Sequence, residues 1–222
     1  MRRRVLALTG AASLAWGALG ASGCMQLTLD RELPPVAPMV VSAGPRLERG
    51  MPDVMGYDGS IESMECVPLD FPDQGSSEVR EVELTVAINH NFIGDLVIKV
   101  VSPRGTVTTV LNRPGYDEPA DADIPVGGDS SDMRASDPIT FRDGAPIAAE
   151  QMGGTLESND VVCRDDHHCD HAPSPGRGPG TSLADFQGEP LGGVWRVCVA
   201  DGSSGDGDTG VIQSLTLSVL AW

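Results

Sequence analysis

Three of the four histidines and two of the five cysteines lie in one short segment, residues 161–180, VVCRDDHHCDHAPSPGRGPG. Imidazole and thiolate groups at short spacing suit zinc, so His167 and His171 with Cys163, Cys169 or an aspartate form a candidate metal site. The spacing matches neither a C-x-x-C nor an H-E-x-x-H motif. A surface insertion closed by a disulfide is the alternative, and the sequence favours it.

The remaining histidine, His90, is followed five residues later by Asp95. A His–Asp pair can serve as part of a general base, but catalysis also needs a placed nucleophile. No serine lies in a G-x-S-x-G motif, and the chain contains no dinucleotide fingerprint or phosphate-binding loop. We therefore interpret His90, Gly94 and Asp95 as structural residues of a turn and predict that this chain is not an enzyme.

Carboxylates are concentrated in two loops. In the turn DGSSGDGDTG, Asp201, Asp206 and Asp208 are candidate calcium ligands, although the spacing falls short of an EF-hand loop. Hydrogen bonds from these side chains to the turn backbone are the simpler role. The acidic segment 112–138 is either a calcium site or a solvated loop, and we favour the loop because calcium needs about six to eight converging oxygen ligands. Calcium is thus a candidate cofactor.

Alternating apolar residues predict the strands that would position these groups. The segment 79–111 has two such runs and a third apolar stretch, separated by the turns HNFIG and SPRG, which indicates an antiparallel meander. The same period of two recurs at Trp195, Val197 and Val199, and at Leu215, Leu217 and Val219. Periodicity alone therefore predicts an antiparallel sandwich or barrel.

The composition agrees with a turn-rich β protein. The chain has 222 residues, 27 of them glycine and 17 proline, and only 4% are aromatic, so Val, Leu and Ile must form the core. The formal net charge is −17. Such a surface repels phosphate backbones, which argues against nucleic acid as a partner.

The first residues have the pattern of an export signal. Arg2, Arg3 and Arg4 precede an apolar run, and Ala21-Ser22-Gly23-Cys24 resembles a bacterial lipobox, so residues 1–23 are predicted to be a signal peptide of lipoprotein type. Cys24 would then carry the lipid that anchors the protein to the cell envelope, at the outer membrane or cell surface. Ordinary cleavage without lipidation is the alternative. Residues 24–58 contain many prolines and no lasting periodicity, and we predict a Pro-rich tether there.

Lipidation of Cys24 leaves an even number of cysteines in an exported chain: Cys66, Cys163, Cys169 and Cys198. Two disulfides are the economical interpretation in an oxidising compartment. Four cysteines allow three pairings. We favour Cys163–Cys169 as a local loop and Cys66–Cys198 across the sandwich.

Four blocks of sequence resemble the P domain (P/Homo B domain) that follows the catalytic domain of subtilisin-like proprotein convertases. They are INHNFIGDLVIKVVSPRGT, DPITFRDGAP, TSLADFQGEPLGGVWRVCVAD and GDTGVIQSLTLSVL, in the order of that family and within residues 59–222. The resemblance implies an all-β, antiparallel β-sandwich of about eight strands with jelly-roll, galactose-binding-like topology. Here it would form a stand-alone domain on a bacterial lipoprotein, with an insertion near 157–180.

The resemblance also implies a function. In its family the P domain packs on the protease, supports its folding, binds calcium in some members and contributes no catalytic side chain. We therefore expect a lipid-anchored, non-catalytic interaction or stabilising module associated with subtilisin-like proteolysis, its partners being the membrane and a subtilisin-like protease or another surface protein. The alternative is a module that binds carbohydrate or a cell-surface polymer.

Overall fold

The computed structural model describes residues 37–44, 47–51, 58–115, 128–202 and 210–222. Within these ranges eleven strands form two sheets, and the only helical elements are short 3-10 turns. The strands are β1 Met39–Ala43, β2 Arg49–Gly50, β3 Glu65–Phe71, β4 Val79–Asn89, β5 Leu96–Val101, β6 Val107–Asn112, β7 Ile139–Arg142, β8 Ile147–Ala148, β9 Asp170–Ala172, β10 Gly193–Asp201 and β11 Val211–Ala221. No helix in the described part is long and apolar enough to cross a membrane.

The larger sheet has seven strands. Six follow the order β1-β11-β4-β7-β9-β8, and β2 also pairs with β11. Its centre is the long antiparallel pair β4 and β11, with Leu84 opposite Leu217 and Val86 opposite Leu215. The short strand β9 runs parallel to both β7 and β8.

The smaller sheet has four strands in the order β3-β10-β5-β6, all antiparallel. Side chains of successive strand residues point to opposite faces, so Leu96, Ile98 and Val100 of β5 face the larger sheet and pack in the shared core. On the other face Val97 and Val101 join a second apolar cluster, next to the segment 61–66. All residues of β5 are consequently buried.

The two inner faces enclose one hydrophobic core, to which strands of both sheets contribute. Trp195 of β10 is fully buried and packs edge-on against Phe71 and Phe186, with ring centroids 6.2 and 5.2 Å away. Its indole Nε1 donates a hydrogen bond of 3.0 Å to the Leu191 carbonyl, so the polar atom of this large side chain is satisfied.

The predicted all-β sandwich is confirmed, with three corrections. Eleven strands are described rather than about eight, and the larger sheet is mixed rather than purely antiparallel. Part of the predicted Pro-rich tether belongs to the sheet, because β1 and β2 pair with β11 and satisfy its edge. Within the predicted insertion near 157–180, β9 fills a position between β7 and β8. Residues 1–36, including Cys24, lie outside the described residues.

Candidate functional site

The turn from His90 to Asp95 connects β4 to β5, and its centre is the buried imidazole of His90. The backbone N–H of Phe92 donates to Nδ1 at 3.1 Å. Nδ1 is therefore the acceptor of the neutral ring, and Nε2 carries the hydrogen that it donates to Asp201 Oδ2 at 3.2 Å. Both ring nitrogens are thus engaged in hydrogen bonds, one within the turn and one to the end of β10.

The carboxylate bonded to His90 belongs to Asp201, not to Asp95, the neighbour indicated by the sequence. The reason is sheet topology. β10 lies beside β5 with Asp201 opposite Leu96, so the end of β10 meets the start of β5 next to the turn. Asp95 contributes through its backbone, since its carbonyl accepts a hydrogen bond from Gly202 N at 2.6 Å.

Gly94 is required where the turn meets the segment 128–133. A Cβ at this position would lie 2.6 Å from the backbone nitrogen of Asp129, which no real contact allows. The Gly94 N–H donates to the Asp129 carbonyl at 2.9 Å, and His90 exchanges two backbone hydrogen bonds with Met133. The predicted role of Gly94 in the turn therefore has a steric cause, close backbone approach.

Arg113 also belongs to this region, and the sequence analysis missed it. Its side chain is almost fully buried, its backbone N–H donates to the Leu96 carbonyl, and its Nη2 donates to the Gly202 carbonyl at 3.4 Å. A Cβ on Gly202 would lie 2.3 Å from Arg113 Nε. The sequence does contain a hint of this role: Arg113 directly follows an apolar strand, and the turn at 201–210 is acidic.

Of the candidate calcium ligands, the structure describes Asp201 and part of the acidic loop 112–138. Asp201 is buried and bonded to His90, while Asp206 and Asp208 lie outside the described residues. In the acidic loop Asp129 accepts hydrogen bonds from the backbone N–H and hydroxyl of Ser131. Within the described ranges no group of three or more His, Cys, Asp or Glu side chains is placed to hold a metal ion.

Two disulfides link the pairs favoured from the sequence, Cys66 to Cys198 and Cys163 to Cys169. The first differs from expectation in its placement. Cys66 and Cys198 are directly opposed residues of neighbouring strands β3 and β10, so the bond lies within one sheet rather than across the sandwich.

The second disulfide closes the loop CRDDHHC and leaves neither sulfur as a thiolate ligand for zinc. Inside this loop Asp166 Oδ1 accepts hydrogen bonds from the backbone N–H groups of Cys163 and His168. His167 and His168 are exposed, whereas His171, two residues beyond the loop, is buried in β9. The structure thus separates the candidate zinc ligands rather than converging them.

A groove crosses the outer face of the larger sheet, and we call it the Glu83 groove. Its volume is about 350 Å³. It is lined by charged and apolar side chains, among them Glu81, Glu83, Arg142, Asp143, Ser218 and Leu220. Arg142 is paired with Asp170 at 2.7 Å, and the hydrogen bond that the guanidinium donates to this carboxylate raises the pKa of Arg142.

Comparison with known families identifies the segment that contains the His90 turn. Residues 79–132 match the family model described as proprotein convertase P-domain. The predicted P-domain resemblance is confirmed over this segment. The matched segment includes β4, the turn, β5 and β6, together with Arg113. No curated protein sequence matches the chain.

Two solved structures match the chain over most of its length. One is the serine protease of Aeromonas sobria, with a TM-score of 0.45, and the other is that protease in complex with its chaperone, with a TM-score of 0.44. Sequence identity is 16% in both comparisons, and each match covers 84% of this chain. The chain spans 27%, about a quarter, of the length of each matched chain.

Proposed function

We propose that this P-domain acts as a non-catalytic module that binds and stabilises a subtilisin-like serine protease at the cell envelope. The observation that carries the proposal is the family match over residues 79–132, a domain family named for proprotein convertases. The His90 turn described above lies inside that match.

The state of His90 supports a non-catalytic role. A general base needs a free nitrogen within reach of the substrate's proton. The imidazole of His90 is fully buried, its Nδ1 accepts from Phe92 and its Nε2 donates to Asp201. The one feature of the sequence that suggested a general base therefore has no nitrogen available for proton transfer.

The Glu83 groove and its margin are the surface that we propose for protease contact. Val40 of β1 lies opposite Ser218, which lines the groove, and is 54% exposed. The groove thus combines an exposed apolar residue at its margin with carboxylates of β4, a combination that suits a partner surface with basic and apolar residues. On the opposite sheet Val194 is 50% exposed and offers a matched control position.

The aromatic residues argue against the carbohydrate alternative. Sugar-binding surfaces commonly present exposed aromatic rings. Of the described aromatic side chains, Phe71, Phe141, Phe186 and Trp195 are buried in the core. Trp222 is exposed, but the guanidinium of Arg80 lies over its ring at 5.4 Å. Phe92 is half-buried in the His90 turn, so the described surface presents few exposed aromatic rings for sugar stacking.

The proposed location follows from the lipobox at Cys24. Acyl chains on this cysteine would hold the module at a membrane, since each buried methylene contributes about 0.8 kcal/mol. Metabolic labelling with a palmitate analogue tests the anchor. We expect label on the wild type and none on Cys24→Ser, which should also be released from the membrane fraction. A wild type without label would exclude lipidation.

Capture of the full chain from native membranes after chemical cross-linking tests the proposed partner. We expect a subtilisin-like protease to be cross-linked to the wild type and to Val194→Asp, and several-fold less of it to be linked to Val40→Asp. If no serine protease is enriched with the wild type, the proposed function is wrong. If Val194→Asp loses the protease and Val40→Asp keeps it, the docking surface lies on the smaller sheet instead.

A further inference from the structure

A second pocket, which we call the His171 pocket, lies where β9 leaves the disulfide loop. Its volume is about 380 Å³, and its lining includes Ile147, Gln151, Thr155, Asp166, His168 and His171. It is separate from the His90 turn and from the Glu83 groove, with which it shares no lining residue. Neither the sequence blocks of the P-domain nor the proposed protease contact assigns it a role.

The imidazole of His171 is buried but incompletely bonded. Its Nε2 lies 3.1 Å from the His168 carbonyl oxygen, which can only accept, so Nε2 carries the hydrogen. Burial lowers the pKa of His171, which favours the neutral ring at neutral pH. Nδ1 is then a hydrogen-bond acceptor, and no described protein group donates to it. A buried acceptor without a donor is costly, and a ligand that supplies one recovers this cost.

Asp166 places a fixed negative charge in the same pocket. Its side chain is 5% exposed, and its Oδ1 accepts two backbone hydrogen bonds from the disulfide loop. The nearest basic group in the lining is His168, whose Nδ1 lies 4.0 Å from Asp166 Oδ2, and no lysine or arginine lines the pocket. The pocket therefore attracts a positive charge.

The acceptors that line the pocket suit a cation with several hydrogen-bond donors better than a metal ion. A metal ion would need converging ligands, and the described residues contain no group of three or more side chains placed for one. A primary ammonium has three N–H donors and no acceptor. Those donors match the Asp166 carboxylate, the Nδ1 of His171 and a side-chain oxygen of Thr155 or Gln151 at the exposed rim.

We propose that the His171 pocket binds a primary ammonium group. Two sources share this chemistry, the side chain of a lysine in another polypeptide and a free alkylamine. Ile147 supplies an apolar wall against which the methylene chain of either can pack. The proposal does not depend on the protease partner, because it rests on the described residues of the pocket alone.

Nuclear magnetic resonance of the full chain, with ¹⁵N-labelled histidine, tests the site. The probes are n-butylamine and the peptide acetyl-Gly-Lys-Gly-amide. We expect both to shift the Nδ1 signal of His171, and acetylation of the lysine side chain to abolish the effect. Tighter binding of the peptide would identify a polypeptide source, and equal binding would identify the free amine. If neither probe moves the His171 signal, the proposal is wrong.

Matched variants separate a built site from attraction by net charge. Asp166→Asn should weaken amine binding about tenfold or more, since it removes a charged acceptor. His171→Gln, which keeps an N–H for the His168 carbonyl but removes Nδ1, should also weaken it. Glu150→Gln changes the net charge by the same amount as Asp166→Asn, outside the pocket lining, and should have no effect. Equal weakening by Glu150→Gln and Asp166→Asn, or displacement of the amine by equimolar calcium, would overturn the proposal.

Discussion

His90 and His171 are both buried histidines, the first directly after β4 and the second in the middle of β9, yet their surroundings differ. His90 has a hydrogen-bond partner for each ring nitrogen, the Phe92 N–H and Asp201. His171 has a partner only for Nε2. Equal burial therefore does not imply an equal role. A histidine whose two ring nitrogens both have hydrogen-bond partners can stabilise a turn. A histidine with one unpartnered acceptor nitrogen next to a pocket can accept a hydrogen bond from a ligand.

Each histidine region also has its own disulfide. Cys198 lies in β10, the strand that ends at Asp201, and it closes a loop of sequence separation 132. Cys169 lies two residues before His171 and closes a loop of separation 6. The first bond joins neighbouring strands that are distant in sequence, and the second shapes the wall of the pocket.

The largest expected effect is on the long-range disulfide. The variant Cys66→Ala/Cys198→Ala should lose about 5 kcal/mol of the free energy of unfolding, because the cross-link restricts a long loop of the unfolded chain. Urea unfolding of the oxidised proteins measures this loss. The variant Cys163→Ala/Cys169→Ala, which opens the short disulfide loop, is the comparison. If both variants lose the same free energy of unfolding, loop length does not determine how much a disulfide stabilises this protein.

The second expected effect concerns His90, whose two ring nitrogens both have hydrogen-bond partners. His90→Ala should lose about 3 kcal/mol, because it leaves the carboxylate of Asp201 buried without this partner and frees the Phe92 N–H. His171→Gln should lose clearly less, since glutamine keeps an N–H for the one hydrogen bond that this ring makes, to the His168 carbonyl. Equal losses in thermal and urea unfolding would contradict the distinction between the two histidines.

The third effect is on the short disulfide. Cys163→Ala/Cys169→Ala should cost about 2 kcal/mol, since the loop that it closes is short. The same variant should weaken amine binding at the His171 pocket, because the backbone N–H groups that hold Asp166 belong to this loop. Unchanged binding would mean that the loop does not position Asp166.

The smallest effect is a pH dependence of the disulfide loop. The hydrogen bond from Arg164, followed by that from the Val161 N–H, lowers the pKa of Asp165 from 3.8 to about 2. A lowered pKa means that the folded loop is favoured by the ionised group above about pH 4 and loses this contribution as the pH falls towards 2. The protection of the Val161 amide, measured relative to the intrinsic exchange rate at each pH, should fall over that window in the wild type. In Asp165→Asn it should not depend on this titration.

The sequence predicted most of the sandwich and part of the His90 region. Strands β4, β5 and β10 have clear alternation, and the HNFIG turn contains the glycine that close backbone approach requires. The long-range partner Asp201 was beyond sequence reasoning, because its position depends on the pairing of β10 with β5. Arg113 was missed for the same reason, since its contact with Gly202 is made only in the folded chain.

Two strands of the larger sheet were also missed, β1 at one edge and β9 between β7 and β8. β1 follows prolines and has little pattern of its own, and it is a strand because β11 offers an edge with which to pair. β9 is three residues long in a histidine-rich segment, too short for periodicity to reveal. The open acceptor of His171 depends on the carbonyl of His168 and on burial in β9, neither of which the sequence displays.

The central proposal is that this chain binds a protease and does not itself cleave. Labelling native membranes with a serine-reactive fluorophosphonate probe, followed by cross-linking and capture of the full chain, tests it most directly. The account predicts probe label on a captured subtilisin-like protease and none on this chain. Label on the chain itself, or capture of the chain without any labelled serine protease, would contradict it.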